Sequence, residues 1–488
     1  MPRPALPCPQ PARRRALRWG ATLLGASLGL PLTACATPAA VAPLPSEVLA
    51  ALRQAGIPAE AFSACVMPAE GGAPRLAHQE RLAVNPASLM KLVTTYAGLE
   101  LLGPAYTWRT PVFAHGRIAD GVLEGDLHLR GEGDPKLALE RLWLLLRRVQ
   151  QLGVREVRGD IVLDRSAFEL PETDPAGFDG EPLKPYNVQP DALLLNQKTL
   201  VFGFVPDAAA GLARVLSDPP LAGLRTEPAV PLDPGAPCGD WRGALRADFG
   251  DPQQPRFLGA YPLACGERSW TVAFPDPRSF NARAVEGLWR SLGGVLHGRV
   301  RDGTTPPGLP LLAESESPPL AEVVRDINKF SNNVMAQQLF LTLGRVRRGA
   351  GTPAAAREAL REWLAAKWPG AETGLIVDNG SGLSRETRMS AAFLARLLQH
   401  AWATPVMAEL MSSLPASGID GTLRRSRVPA GVARLKTGSL RDVAGVAGYV
   451  LGESGRRHVL AAVIQHPQAG AARAALDALA LWTHRDRD

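Results

Sequence analysis

Apolar positions change their period along the chain. Between Asn85 and Gly103, Leu89, Leu92, Val93, Tyr96 and Leu99 recur at helical spacing, with Pro86 just ahead and Gly103-Pro104 as a stop. That stretch is expected to form a largely buried helix with Ser88 in its first turn. From about Val112 to Pro310 the texture turns to short alternating runs such as VLEGDLHLRG and REVRGDIVLD, broken by Gly, Pro and Asp clusters. A period of two with that punctuation predicts β-rich material, interrupted by a helix at LALERLWLLLRRVQQLG. Helical pattern resumes in PPLAEVVRDINKFSNNVMAQQLFLTLG and AAAREALREWLAAKW. Near the C-terminus GVARLKTGSL, VAGVAGYVLG and RRHVLAAVIQ read as three strands joined by short turns, and AARAALDALALWTH as an amphipathic last helix.

With 488 residues the chain exceeds the usual single-domain size. Its formal charge of +7 falls to +2 once Arg3, Arg13, Arg14, Arg15 and Arg18 are set aside, which leaves no nucleic-acid footprint. These arginines precede an apolar run from Trp19 to Ala34, shorter than the roughly 20 residues a membrane span needs. Residues 1–35 therefore read as an export signal, and 36–47, ATPAAVAPLPSE, as a linker. Leu32-Thr33-Ala34-Cys35 resembles a lipobox, which would lipidate Cys35 and attach the protein to a membrane; Ala34-Cys35-Ala36 serves an ordinary signal cut equally well. Gly25-Ala26-Ser27-Leu28-Gly29 matches a hydrolase pattern but lies inside the leader and counts for nothing. Outside the cytoplasm Cys238 and Cys265 are candidate disulfide partners, with Cys65 left over; three buried thiols are the alternative. There is no HExxH and no CxxC, so no metal and no cofactor is expected.

Candidate chemistry begins with lysine. The chain uses seven lysines among its 54 basic residues, so a retained lysine hints that a titratable ammonium was wanted in place of a fixed guanidinium. Only Lys91 has a serine three residues before it, Ser88, and i,i+3 places the two on one helix face. A serine hydroxyl is a weak nucleophile without a base, and a lysine becomes a base when burial or nearby positive charge lowers its pKa. Further along stand Ser331-Asn332-Asn333 and, within a predicted strand, Lys436-Thr437-Gly438. Each alone is an ordinary cap, turn or strand end. The ordered set is not.

Ser-x-x-Lys, Ser-x-Asn and Lys-Thr-Gly in this order resemble the signature elements of the penicillin-recognising serine acyltransferases. The resemblance implies Ser88 as nucleophile and Lys91 as its base. It implies that Ser331 relays a proton to the leaving amine, that Asn333 holds the substrate amide, and that Lys436 and Thr437 take the substrate carboxylate. The backbone N–H groups of Ser88 and Ser439, the residue after Gly438, would form the oxyanion hole. Ser88 and Ser331 are 243 residues apart, which calls for a long insertion. That insertion, together with GEGDPKL, CGDW, ACGERSW, INKFSNN, DNGSGLSR and SLPASGIDGTLRRS, is similar to the class C low-molecular-mass penicillin-binding proteins, the D-alanyl-D-alanine carboxypeptidase/endopeptidase family. DNGSGLSR itself reads as a tight turn without chemistry.

The expected fold class is α/β of the α+β kind: a β-lactamase/transpeptidase-like catalytic domain with an antiparallel sheet flanked by helices, plus β-rich inserted subdomains. Expected limits are 48–111 and 316–488 for the two parts of the catalytic domain and 112–315 for the insertion. The implied partners are peptidoglycan stem peptides and β-lactam antibiotics, met in the periplasm or another extracytoplasmic space. A β-lactamase or a non-catalytic peptidoglycan-binding homologue is the alternative; no Glu-x-x-Leu-Asn-like segment supplies the deacylating carboxylate of a class A β-lactamase.

Overall fold

In the computed structural model, which describes residues 42–370 and 374–487, the three expected C-terminal strands form as Ala433–Leu440, Val443–Leu451 and Arg457–Gln465. Phe62–Pro68 pairs with the last of them and Leu76–His78 completes a five-stranded sheet, antiparallel throughout. Both faces of this sheet are covered. Ala64, Val66, Leu460, Ala462 and Ile464 pack towards the N- and C-terminal helices, Ser46–Gln54 and Arg473–His484. Their neighbours Cys65, Met67, Val459, Ala461 and Val463 pack on the other side against Met90–Leu102, Leu320–Lys329, Asn333–Arg348 and Ala391–Trp402. Successive residues of a strand point to opposite faces, so a sheet covered twice needs a nearly continuous apolar run. VAGVAGYVL is such a run.

The helix after Ser88 departs from the expectation in its start. Ala87–Leu89 is a 3-10 turn, and the α-helix opens at Met90. Asn85 causes this: its side-chain oxygen accepts the N–H of Ala87 at 2.9 Å, holding Ala87 at a φ of 48°, outside helical geometry. From Met90 to Leu99 every residue is buried, because the helix runs between the sheet and the other helices.

Residues 109–316 form two larger sheets and, at Ala247–Asp248 with Arg256–Phe257, a two-stranded one. A seven-stranded sheet is centred on the hairpin Arg109–Ala119 and Val122–Arg130, and Leu311–Glu316 closes its edge. A five-stranded sheet holds Thr199–Asp207, Leu212–Asp218 and Arg268–Ala273. Their common core, with the helices Leu139–Gln151 and Phe280–Ser291, shares no residue with the cores around the first sheet. Cys238 and Cys265 are joined in a disulfide beside it, and Cys65 is a buried free thiol. The two regions are tied by two small apolar clusters, Val334 with Val188, Leu194 and Ala273 and Leu341 with Phe168 and Ala192, and by polar bonds. Gln338 and Asp191 exchange two hydrogen bonds, at 3.0 and 2.8 Å, and buried Asp191 is neutralised by Lys198 at 2.6 Å and Arg165 at 2.7 Å.

The export signal and Cys35 lie outside the described residues, as does most of the linker. Where the linker segment is described, Ala42 already bridges to Leu76 and a helix starts at Ser46, so packing begins before residue 48. No helix among the described residues is long and apolar enough to cross a membrane.

Candidate active site

Three segments meet where the first sheet, the Met90–Leu102 helix and the Asn333–Arg348 helix converge. The first is the turn carrying Ser88. Its conformation is fixed by Asn85, whose backbone N–H donates to Gln465 Oε1 at 3.1 Å and whose side-chain amide donates to the Ser384 carbonyl at 2.9 Å. Ser88 is half-buried, and one turn on Lys91 is wholly buried.

Lys91 makes three hydrogen bonds, to Ser88 Oγ at 2.9 Å, to Asn333 Oδ1 at 2.6 Å and to the Ser381 carbonyl at 2.6 Å. None of these acceptors carries a charge. Burial, and after it the charge of Lys436, therefore pushes its pKa well below the usual lysine value. A neutral amine within reach of a serine hydroxyl is a base in position.

The second segment is the Ser331 turn. Asn332 caps the Asn333–Arg348 helix by accepting the N–H of Met335 at 3.0 Å, and this places Asn333 on the first turn, facing Lys91. Ser331, at a φ of 56°, turns its hydroxyl to Lys436. Two residues of the inserted region reach this turn: the Tyr186 carbonyl accepts from Asn333 Nδ2, and Gln197 Oε1 accepts from Asn332 Nδ2, both at 3.0 Å.

The third segment is the strand Ala433–Leu440, at the edge of its sheet. The N–H groups of Ala433 and Leu435 point away from the sheet, towards Ser417 Oγ and the Pro415 carbonyl. With a period of two, those of Thr437 and Ser439 share that open edge. Lys436 is wholly buried and donates to Ser331 Oγ at 2.8 Å and the Thr437 carbonyl at 2.6 Å; burial lowers its pKa to about 7. Gly438 lets the strand approach the turn carrying Ser88, since a Cβ there would stand 2.7 Å from the Pro86 carbonyl oxygen. Thr437 turns its hydroxyl outward to that of Thr422 at 2.8 Å.

Ser88, Lys91, Ser331, Asn333, Lys436, Thr437, Gly438 and Ser439 thus come from three distant segments to one place. Sequence reasoning missed the Ser381 carbonyl, which belongs to the glycine-rich DNGSGLSR turn. Gly382 has to be glycine there, at a φ of 79°, because a Cβ would meet the Ala87 carbonyl oxygen at 1.9 Å. A serine between glycines was the visible signal. Thr422 and the Tyr186 carbonyl gave none.

The sequence pattern of the D-Ala-D-Ala carboxypeptidase 3 (S13) family matches residues 45–486. A D-alanyl-D-alanine carboxypeptidase of Actinomadura sp. (strain R39) is 30% identical over 461 residues, covering 89% of this chain and 82% of that protein. The D-alanyl-D-alanine carboxypeptidase DacB of Haemophilus influenzae is 23% identical, over 76% of this chain and 78% of its own. The crystal structure of penicillin binding protein 4 (dacB) from Haemophilus influenzae superposes with a TM-score of 0.71 at 21% identity, covering 89% of this chain and 99% of that one.

Proposed function

Because the chain belongs to the D-Ala-D-Ala carboxypeptidase 3 (S13) family, we propose that it is a serine hydrolase of peptidoglycan stem peptides that works through an acyl-enzyme on Ser88. The observation that carries this reading is the 2.9 Å bond between Lys91 and Ser88 Oγ, made by a lysine whose neutral form is favoured by burial and by a second lysine.

Neutral Lys91 takes the proton of Ser88 Oγ as the oxygen adds to the carbonyl of the penultimate D-alanine. The oxyanion is held by the backbone N–H groups of Ser88 and Ser439. As the C–N bond breaks, the leaving amine receives a proton from Ser331, which is resupplied from Lys436; water then cleaves the ester, its proton passing to Lys436 while Lys91 returns its own to Ser88 Oγ. An extended peptide pairs with the open edge of Ala433–Leu440, and its amide meets Asn333. Thr437 and the field of Lys436 hold its carboxylate, with the Thr422 hydroxyl beside them. Two cuts fit: release of terminal D-alanine, and cleavage of the D-alanyl to meso-diaminopimelate cross-link, whose acceptor also presents a carboxylate beside the scissile bond. β-Lactams would acylate the same serine.

The same reading places the protein outside the cytoplasm, with Cys35 as a candidate lipid anchor. It divides the chain into a catalytic domain of 48–111 and 316–488 and an insertion of 112–315.

The test is intact mass after β-lactam treatment, with HPLC of pentapeptide monomers and cross-linked dimers. One drug equivalent on the Ser88 peptide and shortening of either substrate are expected. Ser88→Ala should abolish both, by several orders of magnitude. A label on Ser331, or rapid β-lactam hydrolysis with both peptides left intact, overturns the reading.

A further inference from the structure

Away from the acylation site, the hairpin of Arg109–Ala119 and Val122–Arg130 brings His115, Asp126 and His128 to one face. The register pairs His115 with Asp126 and Phe113 with His128, so the three side chains are cross-strand and diagonal neighbours. One donor atom from each lies within 4.8 Å of the others. Sequence spacing concealed this, because the ligands are set by strand pairing and not by a local motif.

His128 is the second observation. It is 4% exposed, and neither of its ring nitrogens has a hydrogen-bond partner. A buried imidazole gives up its water without recompense unless something binds it. Asp126 is already oriented: its Oδ1 accepts the N–H of Asp160 at 2.7 Å. Its other oxygen has the guanidinium of Arg301 at 3.8 Å, but Arg301 is held more closely by Asp160, at 2.5 Å. His115 is exposed, its ring centroid 5.9 Å from that of His128.

We propose that His115, Asp126 and His128 form a binding site for one divalent first-row transition ion, typified by zinc, that clamps this hairpin. Two imidazoles and one carboxylate suit such an ion and suit the oxygen-seeking Ca2+ and Mg2+ poorly. Tetrahedral zinc with ligand bonds of about 2.0–2.1 Å needs donors about 3.3 Å apart, so all three side chains would draw in from their present separations, which lie within 4.8 Å. The exposed side of His115 leaves the fourth position to water. Through the Asp160 N–H the ion would fix the hairpin to the turn at Gly159-Asp160.

The experiment is titration of the chelator-stripped protein with zinc chloride against a chromogenic competitor, with melting temperature as second readout. His115→Ala and Asp126→Asn are the variants; both positions lie outside the proposed acylation machinery, so β-lactam labelling of Ser88 checks that each has folded. One zinc per chain is expected, with a rise in melting temperature. Affinity should fall at least about tenfold in both variants, the low end of what even outer-shell changes cost a metal site. No stoichiometric zinc binding by the wild type, or a variant that binds as the wild type does, overturns the proposal.

Discussion

Lys91 donates to the side-chain oxygen of Asn333 at 2.6 Å, across 242 residues of sequence, and both side chains are buried. The acceptor is uncharged, and the lysine keeps a low pKa partly for that reason.

Asn333→Asp is nearly isosteric and puts a negative charge at that distance. An opposite charge favours the ammonium, so the pKa of Lys91 rises and less neutral amine is present near pH 7. The rate of acylation by a fluorescent penicillin is expected to fall at least about tenfold at neutral pH and to recover at higher pH, its profile moved up by about one unit or more. An unshifted profile would remove Lys91 from the role of base.

Lys436 has a pKa lowered to about 7 by burial, against the usual lysine value in the unfolded chain. Between those values the unfolded chain binds the extra proton, so folding stability rises with pH through that window. Below about 7 the full cost of burying the charge is present. Lys436→Met removes the group, and the melting temperature of the variant relative to the wild type should therefore be highest at pH 6–7 and decline towards pH 10. A difference independent of pH would show that Lys436 is not titrating there.

Gly438→Ala would set a Cβ 2.7 Å from the Pro86 carbonyl oxygen and 3.2 Å from Leu89 Cγ. Either the strand or the Ser88 turn must move. A displacement of about an ångström typically costs on the order of 100-fold in rate, and overpacking costs about 1–3 kcal/mol in stability. Acylation kinetics with urea unfolding would check both; wild-type acylation would mean that the close approach is dispensable.

The Cys238–Cys265 disulfide closes a loop of 27 residues, which the chain-entropy estimate values at about 3.6 kcal/mol. Replacing both cysteines by serine is expected to lower the stability of the inserted region by that order while leaving β-lactam acylation of Ser88 largely intact, since neither cysteine touches the acylation site. Calorimetry and labelling on the double variant test this. Loss of acylation with the melting temperature unchanged would be the contrary result.

The sequence by itself determined most of the elements and which side chains make up the candidate site. The helix around Tyr96 and the twice-covered strand VAGVAGYVL were legible because elements covered on all sides need nearly continuous apolar runs, bounded here by breakers such as Gly103-Pro104. The lysines drew notice because arginine is the default cation of this chain; Lys91, Lys198, Lys329 and Lys436 are buried, whereas Lys136, Lys184 and Lys367 are not. Tertiary structure decided what the backbone and the pairing register contribute. The Ser381 carbonyl on Lys91, the Tyr186 carbonyl on Asn333 and the meeting of His115 with Asp126 leave no mark in residue type, because a carbonyl belongs to every residue and a register is set by the whole sheet. Tertiary structure also decided the two lysine pKa values: a side chain's charge state follows from the water and charges excluded or gathered around it, and those come from segments hundreds of residues apart.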